Sequence, residues 1–411
     1  MSETTQRLNA GEKRAFVAAF GGWTMDAMDY MVFSFVIPSL VTLWGIDKGE
    51  AGLLATVTLL VSAFGGWLGG VLADRFGRVR ILQLTILWFA LFTFLNGFAN
   101  GFAMLFTTRA LQGLGFGGEW AVGSVLVGEL IRAEDRGKVV GALQSGWAVG
   151  WGIAAILYAV FFSLMPESWA WRALFWIGLI PALLVFYVRR YVPESHVYNE
   201  TRRRAGAAGG NFMEIFSPQL LATTIFAGLL ATGAQGGYYA ITTWLPTFLR
   251  SVRKLSVLNS SGYLAVVIVG SFAGYLVGAW LTDRIGRRAN FALFAICSAA
   301  TVVTYMVLPL TDAAMLALGF PLGFFASGIF SGMGPFLTEL YPSRCRGSGQ
   351  GFCYNFGRGI GALFPALVGY LSASLGLGAA IGLFAVCAYG LVLVGVAMLP
   401  ETRGKQLLAY D

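Results

Sequence analysis

The chain has 411 residues, 57% of them apolar and only 12% charged, with a mean hydropathy of +0.71. One soluble core cannot hide that much apolar surface, which excludes a water-soluble globular protein and makes lipid the expected solvent. The formal net charge of +8 is spread over short segments between apolar blocks, so it does not form the basic face of a nucleic-acid-binding protein.

Apolar blocks able to cross a hydrocarbon core of roughly 30 Å recur along the chain, separated by clusters of Arg, Lys, Asp, Glu or Pro. They predict twelve spans, at 16–42, 51–73, 80–99, 102–128, 138–163, 171–191, 219–247, 258–282, 289–309, 313–338, 348–373 and 376–399. The blocks are continuously apolar, whereas barrel strands alternate, so the expected fold class is an all-α membrane protein. Placing the N-terminus in the cytoplasm leaves only Lys48, Arg172, Arg250, Arg253 and Lys254 on the outer side and most other cations inside. By the positive-inside rule both termini are then cytoplasmic. The first residues are polar and the first block is too long for a cleavable signal, so that block is expected to direct insertion. The four cysteines show no paired spacing and read as free thiols.

Ionisable side chains inside a span are costly, and each needs a structural partner or a function. In the first span Asp26 and Asp29 lie three residues apart and share a face. Two carboxylates in a poorly solvated place disfavour double ionisation, which suits a proton site. In the fourth span Arg109 is positioned to pair with ionised Asp29; a static ion pair between helices is the competing reading. Gln112, Phe116 and Glu119 follow at i, i+4, i+7 on one face and suit either a pocket wall or interhelical hydrogen bonding. Gly113, Gly115 and Gly118 formally match a dinucleotide fingerprint, but no strand precedes them, so close helix packing is the better reading.

In the seventh span Gln235 and Tyr238 are pocket candidates, and Gly233, Gly236 and Gly237 suggest a helix that breaks there. Arg358, in the eleventh span with Tyr354 and Asn355 beside it, is the candidate for holding a carboxylate. Its guanidinium offers a planar fork, and Gly357, Gly359 and Gly361 leave room around it. The competing reading pairs Arg358 with Glu339 or a backbone carbonyl. No metal-ligand cluster, nucleophile elbow or phosphate loop is present, so no cofactor, metal or enzymatic activity is expected.

An internal repeat organises these elements. Gly69-Gly70-Val71-Leu72-Ala73-Asp74-Arg75-Phe76-Gly77-Arg78 recurs 209 residues later as Gly278-Ala279-Trp280-Leu281-Thr282-Asp283-Arg284-Ile285-Gly286-Arg287. Glu129-Leu130 with Arg136-Gly137 recurs as Glu339-Leu340 with Arg346-Gly347, and Pro193-Glu194-Ser195 as Pro400-Glu401-Thr402. The expected domains are an N-terminal six-helix bundle over 1–191, a polar cytoplasmic linker over 192–218 and a C-terminal six-helix bundle over 219–411. Asp29, Arg109, Glu119 and Arg358 have no charged counterpart in the other half, so they are assigned to chemistry and the repeated loops to shared machinery.

The two Gly-x-x-x-Asp-Arg-x-Gly-Arg loops, the Arg109-x-x-Gln112-Gly113 helix and the Pro-Glu-Ser and Pro-Glu-Thr-Arg-Gly-Lys helix ends resemble the major facilitator superfamily across essentially the whole chain. Asp26-Ala27-Met28-Asp29, Gly117-Gly118-Glu119-Trp120 and Tyr354-Asn355-Phe356-Gly357-Arg358 resemble the sialate:proton and aromatic-acid:proton symporters. The resemblance implies a monomeric inner-membrane carrier importing an organic carboxylate with a proton by alternating access, with lipid as its surroundings. It implies that Asp29 and Arg109 couple proton movement. It also implies that Asp74, Arg75, Arg78, Glu129, Asp283, Arg284, Arg287 and Glu339 hold the cytoplasmic side closed in the outward-facing state. Ala279 stands where the family has glycine, which predicts a slightly looser helix contact in the second copy. A sugar or polyol symporter is the alternative within transport, and a membrane nutrient sensor the alternative from another class.

Overall fold

The computed structural model describes residues 10–130, 142–180, 182–183, 188, 191, 212–342 and 345–404, and among them the regular elements are all helices. The helices are α1 (Ala10–Trp44), α2 (Lys48–Phe76), α3 (Arg78–Asn96), α4 (Phe102–Leu130), α5 (Gly146–Leu164), α6 (Glu167–Ile177) and α7 (Leu221–Thr247). They continue as α8 (Val257–Ile285), α9 (Arg287–Val307), α10 (Asp312–Gly328), α11 (Met333–Glu339), α12 (Arg346–Gly361), α13 (Phe364–Leu375) and α14 (Leu377–Met398). Among the described residues nine segments are long and apolar enough to cross a membrane. Helices α4 and α7, with 29 and 27 residues, are also long enough at about 1.5 Å per residue. Polar residues dilute their sequences because these two helices face the centre of the molecule. Most of the linker, 192–211, and the side chains of Asp74, Arg75 and Glu129 lie outside the described residues.

Local chemistry sets the helix ends. Asp47 and Glu50 form a reciprocal capping box at α2, with Glu50 N–H donating to Asp47 at 2.7 Å and Asp47 N–H to Glu50 at 3.0 Å. Ser256 and Thr311 cap α8 and α10 through single hydroxyls. Gly77 and Gly286, the corresponding glycines of the repeated loop, adopt φ of 104° and 96°. That region is open almost only to glycine, and here it turns one helix straight into the next.

The repeat is visible again in packing. A Cβ on Gly69 would lie 2.7 Å from the Gly118 Cα, and Gly65 sits against the Leu114 backbone, so α2 and α4 touch almost main chain to main chain. Gly274 against Phe324, and Gly278 against the Gly328 carbonyl, reproduce those contacts between α8 and α10 at the same offset. The expectation attached to Ala279 is corrected here: its counterpart Gly70 meets nothing within 4 Å, and the contact belongs to Gly69 and Gly278. The expected break at Gly233, Gly236 and Gly237 is corrected as well. Helix α7 runs unbroken through them, and they let in the Ala388 backbone, the Phe364 ring and the Tyr389 ring.

Irregularity occurs elsewhere. Pro246 precedes a π-helical turn at Phe248–Val252, and a 3-10 turn at Ile329–Gly332 separates α10 from α11. The eleventh span breaks between α12 and α13, and Thr56 of α2 mends the break. Its hydroxyl donates to the Ala362 carbonyl at 2.6 Å and accepts from the Ala366 N–H at 3.3 Å, satisfying backbone groups that lipid could not.

Contacts between the first six helices and the rest run through α1 with α7, α2 with α12 and α13, and α5 with α8. They close one end of the molecule tightly. There Gly52 packs on the Pro365 carbonyl, and Gly369 packs on Lys48 and Trp244. One Glu167 oxygen accepts from Ser39 at 2.6 Å and from Arg250, carried on the π turn, at 3.3 Å.

Candidate functional site

The buried charges meet midway along the bundle, where α1, α4 and α5 face α7 and α12. Asp26, Asp29, Arg109, Gln112, Glu119, Gln235, Tyr238, Tyr354 and Arg358 are all buried. Helix α1 runs antiparallel to α4, so Asp29 faces Gln112 while Asp26, nearer the N-terminus, faces Glu119.

Asp29 accepts a short hydrogen bond from the Gln112 amide. That amide also lies 3.0 Å from the Thr93 hydroxyl, and the Gln112 oxygen accepts from Asn96 at 2.9 Å. Gln112 therefore positions Asp29 against α3 and α4 rather than lining an open wall. The expected Asp29–Arg109 ion pair is not formed in this conformation. Arg109 donates through Nε to the Leu54 carbonyl at 2.8 Å and stacks 3.7 Å from the Phe33 ring centroid. Its two terminal nitrogens have no hydrogen-bond partner. Gln112 already supplies the donor at Asp29, which leaves Arg109 free to reach across to α2.

Glu119 crosses from α4 to α1, its carboxyl lying against Gly22, one turn before Asp26. Glu119 is thus brought to the face of α1 that carries Asp26, where both Asp26 oxygens lack a hydrogen-bond donor. The shared face of Asp26 and Asp29 thus divides between two different partners.

Aromatic rings fill the space between the halves. Trp147 of α5 donates its indole N–H to the Tyr238 hydroxyl at 2.6 Å, and the Tyr30 and Thr243 hydroxyls lie 2.8 Å apart. Trp23, Tyr30, Phe116 and Tyr238 have ring centroids 4.8, 5.9, 6.3 and 6.4 Å from Trp147. Arg358 sits at the edge of this box, its guanidinium 5.4 Å from the Phe116 centroid and 5.2 Å from that of Tyr354. Both are cation–π distances, and the Tyr239 hydroxyl reaches the same group. Glu339 is no partner of Arg358, since it binds Arg287 at 2.9 Å and accepts from Thr402 at 2.5 Å.

Two other candidates turn away from the box. Asn355 donates back to the Gly351 carbonyl at 3.0 Å, with its oxygen against Gly66 of α2. Asn355 stands one turn before Arg358 on a similar face of α12, but these contacts hold its side chain against α12 and α2. Gln235 ties α7 to α12 by donating to the Tyr354 carbonyl at 2.8 Å. Trp147 carries no signal of its own in the sequence, because tryptophan is ordinary in membrane helices; only its neighbours Gly146 and Gly150, which let α5 approach α1, set it apart.

The second repeated loop is assembled within one half. Arg287 bridges Asp283 at 2.5 Å and Glu339, and Arg284 stacks over Trp280 at 4.9 Å. The Glu401 carboxylate accepts the N–H groups of Arg287 and Arg288, capping the start of α9. In the first copy Arg78 donates to the Ala73 carbonyl at 3.0 Å.

A family model described as "Major Facilitator Superfamily" matches residues 19–319 and 268–408. A protein named "Probable 4-methylmuconolactone transporter" from Cupriavidus pinatubonensis is 43% identical over 96% of this chain and 91% of its own length. The "Cis,cis-muconate transport protein" of Acinetobacter baylyi is 30% identical over 92% of this chain and 93% of its own. Among solved structures, a bacterial homologue of the human lysosomal transporter Spinster aligns with a TM-score of 0.67 at 16% identity, covering 96% of this chain and 95% of that one.

Proposed function

The chain belongs to the major facilitator superfamily, and from that premise we propose that it imports a planar, unsaturated organic carboxylate together with a proton by alternating access across the inner membrane. It is a membrane transporter and not an enzyme. The observation that carries the substrate class is Arg358, buried among aromatic rings at the centre of the molecule. A guanidinium there attracts a carboxylate, and the faces of Trp147, Trp23 and Phe116 suit a flat apolar body. A neutral sugar has little use for a buried cation, and the Tyr30, Thr243, Trp147 and Tyr238 groups that could bind its hydroxyls are bonded to one another. The relatives named for a muconolactone and for muconate carry ligands of this flat, acidic kind.

Arg358 and Tyr354 hold the carboxylate, with Tyr238 and Tyr239 at its rim. Gln235, Gln112 and Asn355 act as positioning residues through the helix contacts they make. Asp29 and Arg109 couple the proton, separating and pairing as α1 and α4 shift. The charged loops at Asp74, Arg75, Arg78 and Glu129, and at Asp283, Arg284, Arg287 and Glu339, balance inward- and outward-facing states. The two halves, 1–191 and 219–411, rock about a cytoplasmic linker in a monomer with both termini inside.

Binding of cis,cis-muconate, a muconolactone, an aromatic acid, sialic acid and a hexose to purified protein tests the substrate class. Arg358→Gln removes a charge-assisted contact worth about 1.5–3 kcal/mol, so affinity for the planar acids falls about tenfold to a hundredfold. Unchanged affinity in that variant, or preference for the hexose, contradicts the reading.

A further inference from the structure

Two acidic side chains from different helices meet where no hydrogen-bond donor is available to both. Glu119 leaves α4 and lays its carboxyl against Gly22. Gly22 and Asp26 are four residues apart on α1 and therefore share a face. Asp26 is fully buried and Glu119 nearly so. Neither Asp26 oxygen has a hydrogen-bond partner, and neither has Oε1 of Glu119. Two ionised carboxylates placed this way would repel each other in a medium that screens poorly. With one proton between them, one carboxyl donates to the other and both the repulsion and the missing donor are resolved.

Among the described residues, few charged groups face Asp26 from the packed elements. They are Glu119 on α4, Arg358 on α12 and Asp29 on its own helix. Helix α5 contributes Trp147 to this face, and α7 contributes Tyr239, which reaches Arg358. Arg358 lies 5.4 Å from the ring centroid of Phe116, three residues before Glu119 on the same face of α4, which brings a cation to within about one helical turn of the pair.

We propose that Asp26 and Glu119 form a second proton site, distinct from Asp29, in which the two carboxyls share one proton and which responds to substrate through Arg358. The inference rests on the assignment of Arg358 to the substrate. Before substrate arrives, the Arg358 charge stands one turn of α4 from the pair and offsets part of its negative charge. A substrate carboxylate at Arg358 neutralises the guanidinium charge, and Asp26 and Glu119 then take up a proton from water. The O–H bond forms on one carboxyl and is hydrogen-bonded by the other. When the substrate leaves, the Arg358 charge again offsets that of the pair and the proton is released. Substrate binding and proton uptake at this site are thus linked by reciprocal coupling without contact between them, while gradient-driven accumulation also requires Asp29.

The test measures the affinity of purified protein for cis,cis-muconate across pH, with an infrared difference spectrum of the carboxyl region on adding that ligand. In the wild type and in Asp29→Asn, substrate binding produces a new protonated-carboxyl band. In Asp26→Asn and Glu119→Gln that band is absent. Where the site takes up one proton per substrate, affinity falls by up to about tenfold per pH unit on raising the pH. The two pair variants flatten that slope and Asp29→Asn keeps it. A band and slope that persist in both pair variants overturn the proposal. So does a wild-type protein that binds the ligand with no carboxyl band, a reading that needs no variant to fold. If the wild type fails to bind any carboxylate, the substrate assignment falls instead, and the two failures are told apart.

Discussion

Glu401 shows how one side chain can hold a helix junction. Burial works against its charge, but four backbone N–H groups, from Arg287, Arg288, Thr402 and Arg403, donate to the carboxylate and hold it below the ordinary glutamate range. A depressed group stabilises the fold at pH values above its unfolded pKa, and that contribution disappears as pH falls through the folded one. The site is partly exposed, so about 0.3–1 kcal/mol is the expected scale for an anion at a helix start. Glu401→Gln should therefore melt earlier than wild type at neutral pH, with the two curves converging under acid conditions. A thermal-melt series against pH checks this, and a difference that grows on acidification would refute it. Gln112 is the buried counterpart. Gln112→Leu strips the donor from Asp29 and leaves its neighbours Asn96 and Thr93 unsatisfied, at a cost of about 1–3 kcal/mol per orphaned group. Its effect should appear as lost thermal stability before any change in affinity for substrate.

Helix contacts in this protein depend on which glycine faces which neighbour. Gly69→Ala drives a Cβ into the Gly118 backbone, whereas the adjacent Gly70 meets open space. Overpacking of this kind costs about 1–3 kcal/mol, so Gly69→Ala should lose yield and melting temperature while Gly70→Ala matches wild type. Equal effects of the two changes would remove the packing argument. The sequence pattern shows both as one Gly-Gly pair, and only the register of α2 on α4 separates them. The same limit explains the other differences. Spans follow from apolar length alone and were legible, as were the buried charges Asp26, Asp29, Arg109, Glu119 and Arg358, which stand out against apolar surroundings. The break between α12 and α13 depends on Thr56, some three hundred residues earlier in the chain and brought there by the fold. The pairing of Asp26 with Glu119, rather than with Asp29, required knowing that α1 and α4 run antiparallel. The π turn after Pro246 has a partial signal in that proline, but its consequence, the aim of Arg250 at Glu167, has none.

At the scale of the whole molecule, the tightly packed end, with Thr56 on α13 and Glu167 on Arg250, is the end opposite the charged loops. Opening it must break the Glu167–Arg250 pair, which among the described residues is the ion pair joining the two halves. Arg250→Gln should shift the population toward the state open at that end. Labelling of a cysteine introduced at Lys48 would report it as faster modification, and unchanged labelling would argue against a latch. The account stands or falls on coupled transport between these states. The most direct measurement is uptake of labelled cis,cis-muconate into proteoliposomes with and without an imposed inward proton gradient. The account predicts that wild-type protein concentrates the acid only when the gradient is present, that Arg358→Gln takes up little under either condition, and that Asp29→Asn exchanges substrate without accumulating it. Accumulation by Asp29→Asn in response to the gradient, or wild-type uptake indifferent to it, would contradict the account.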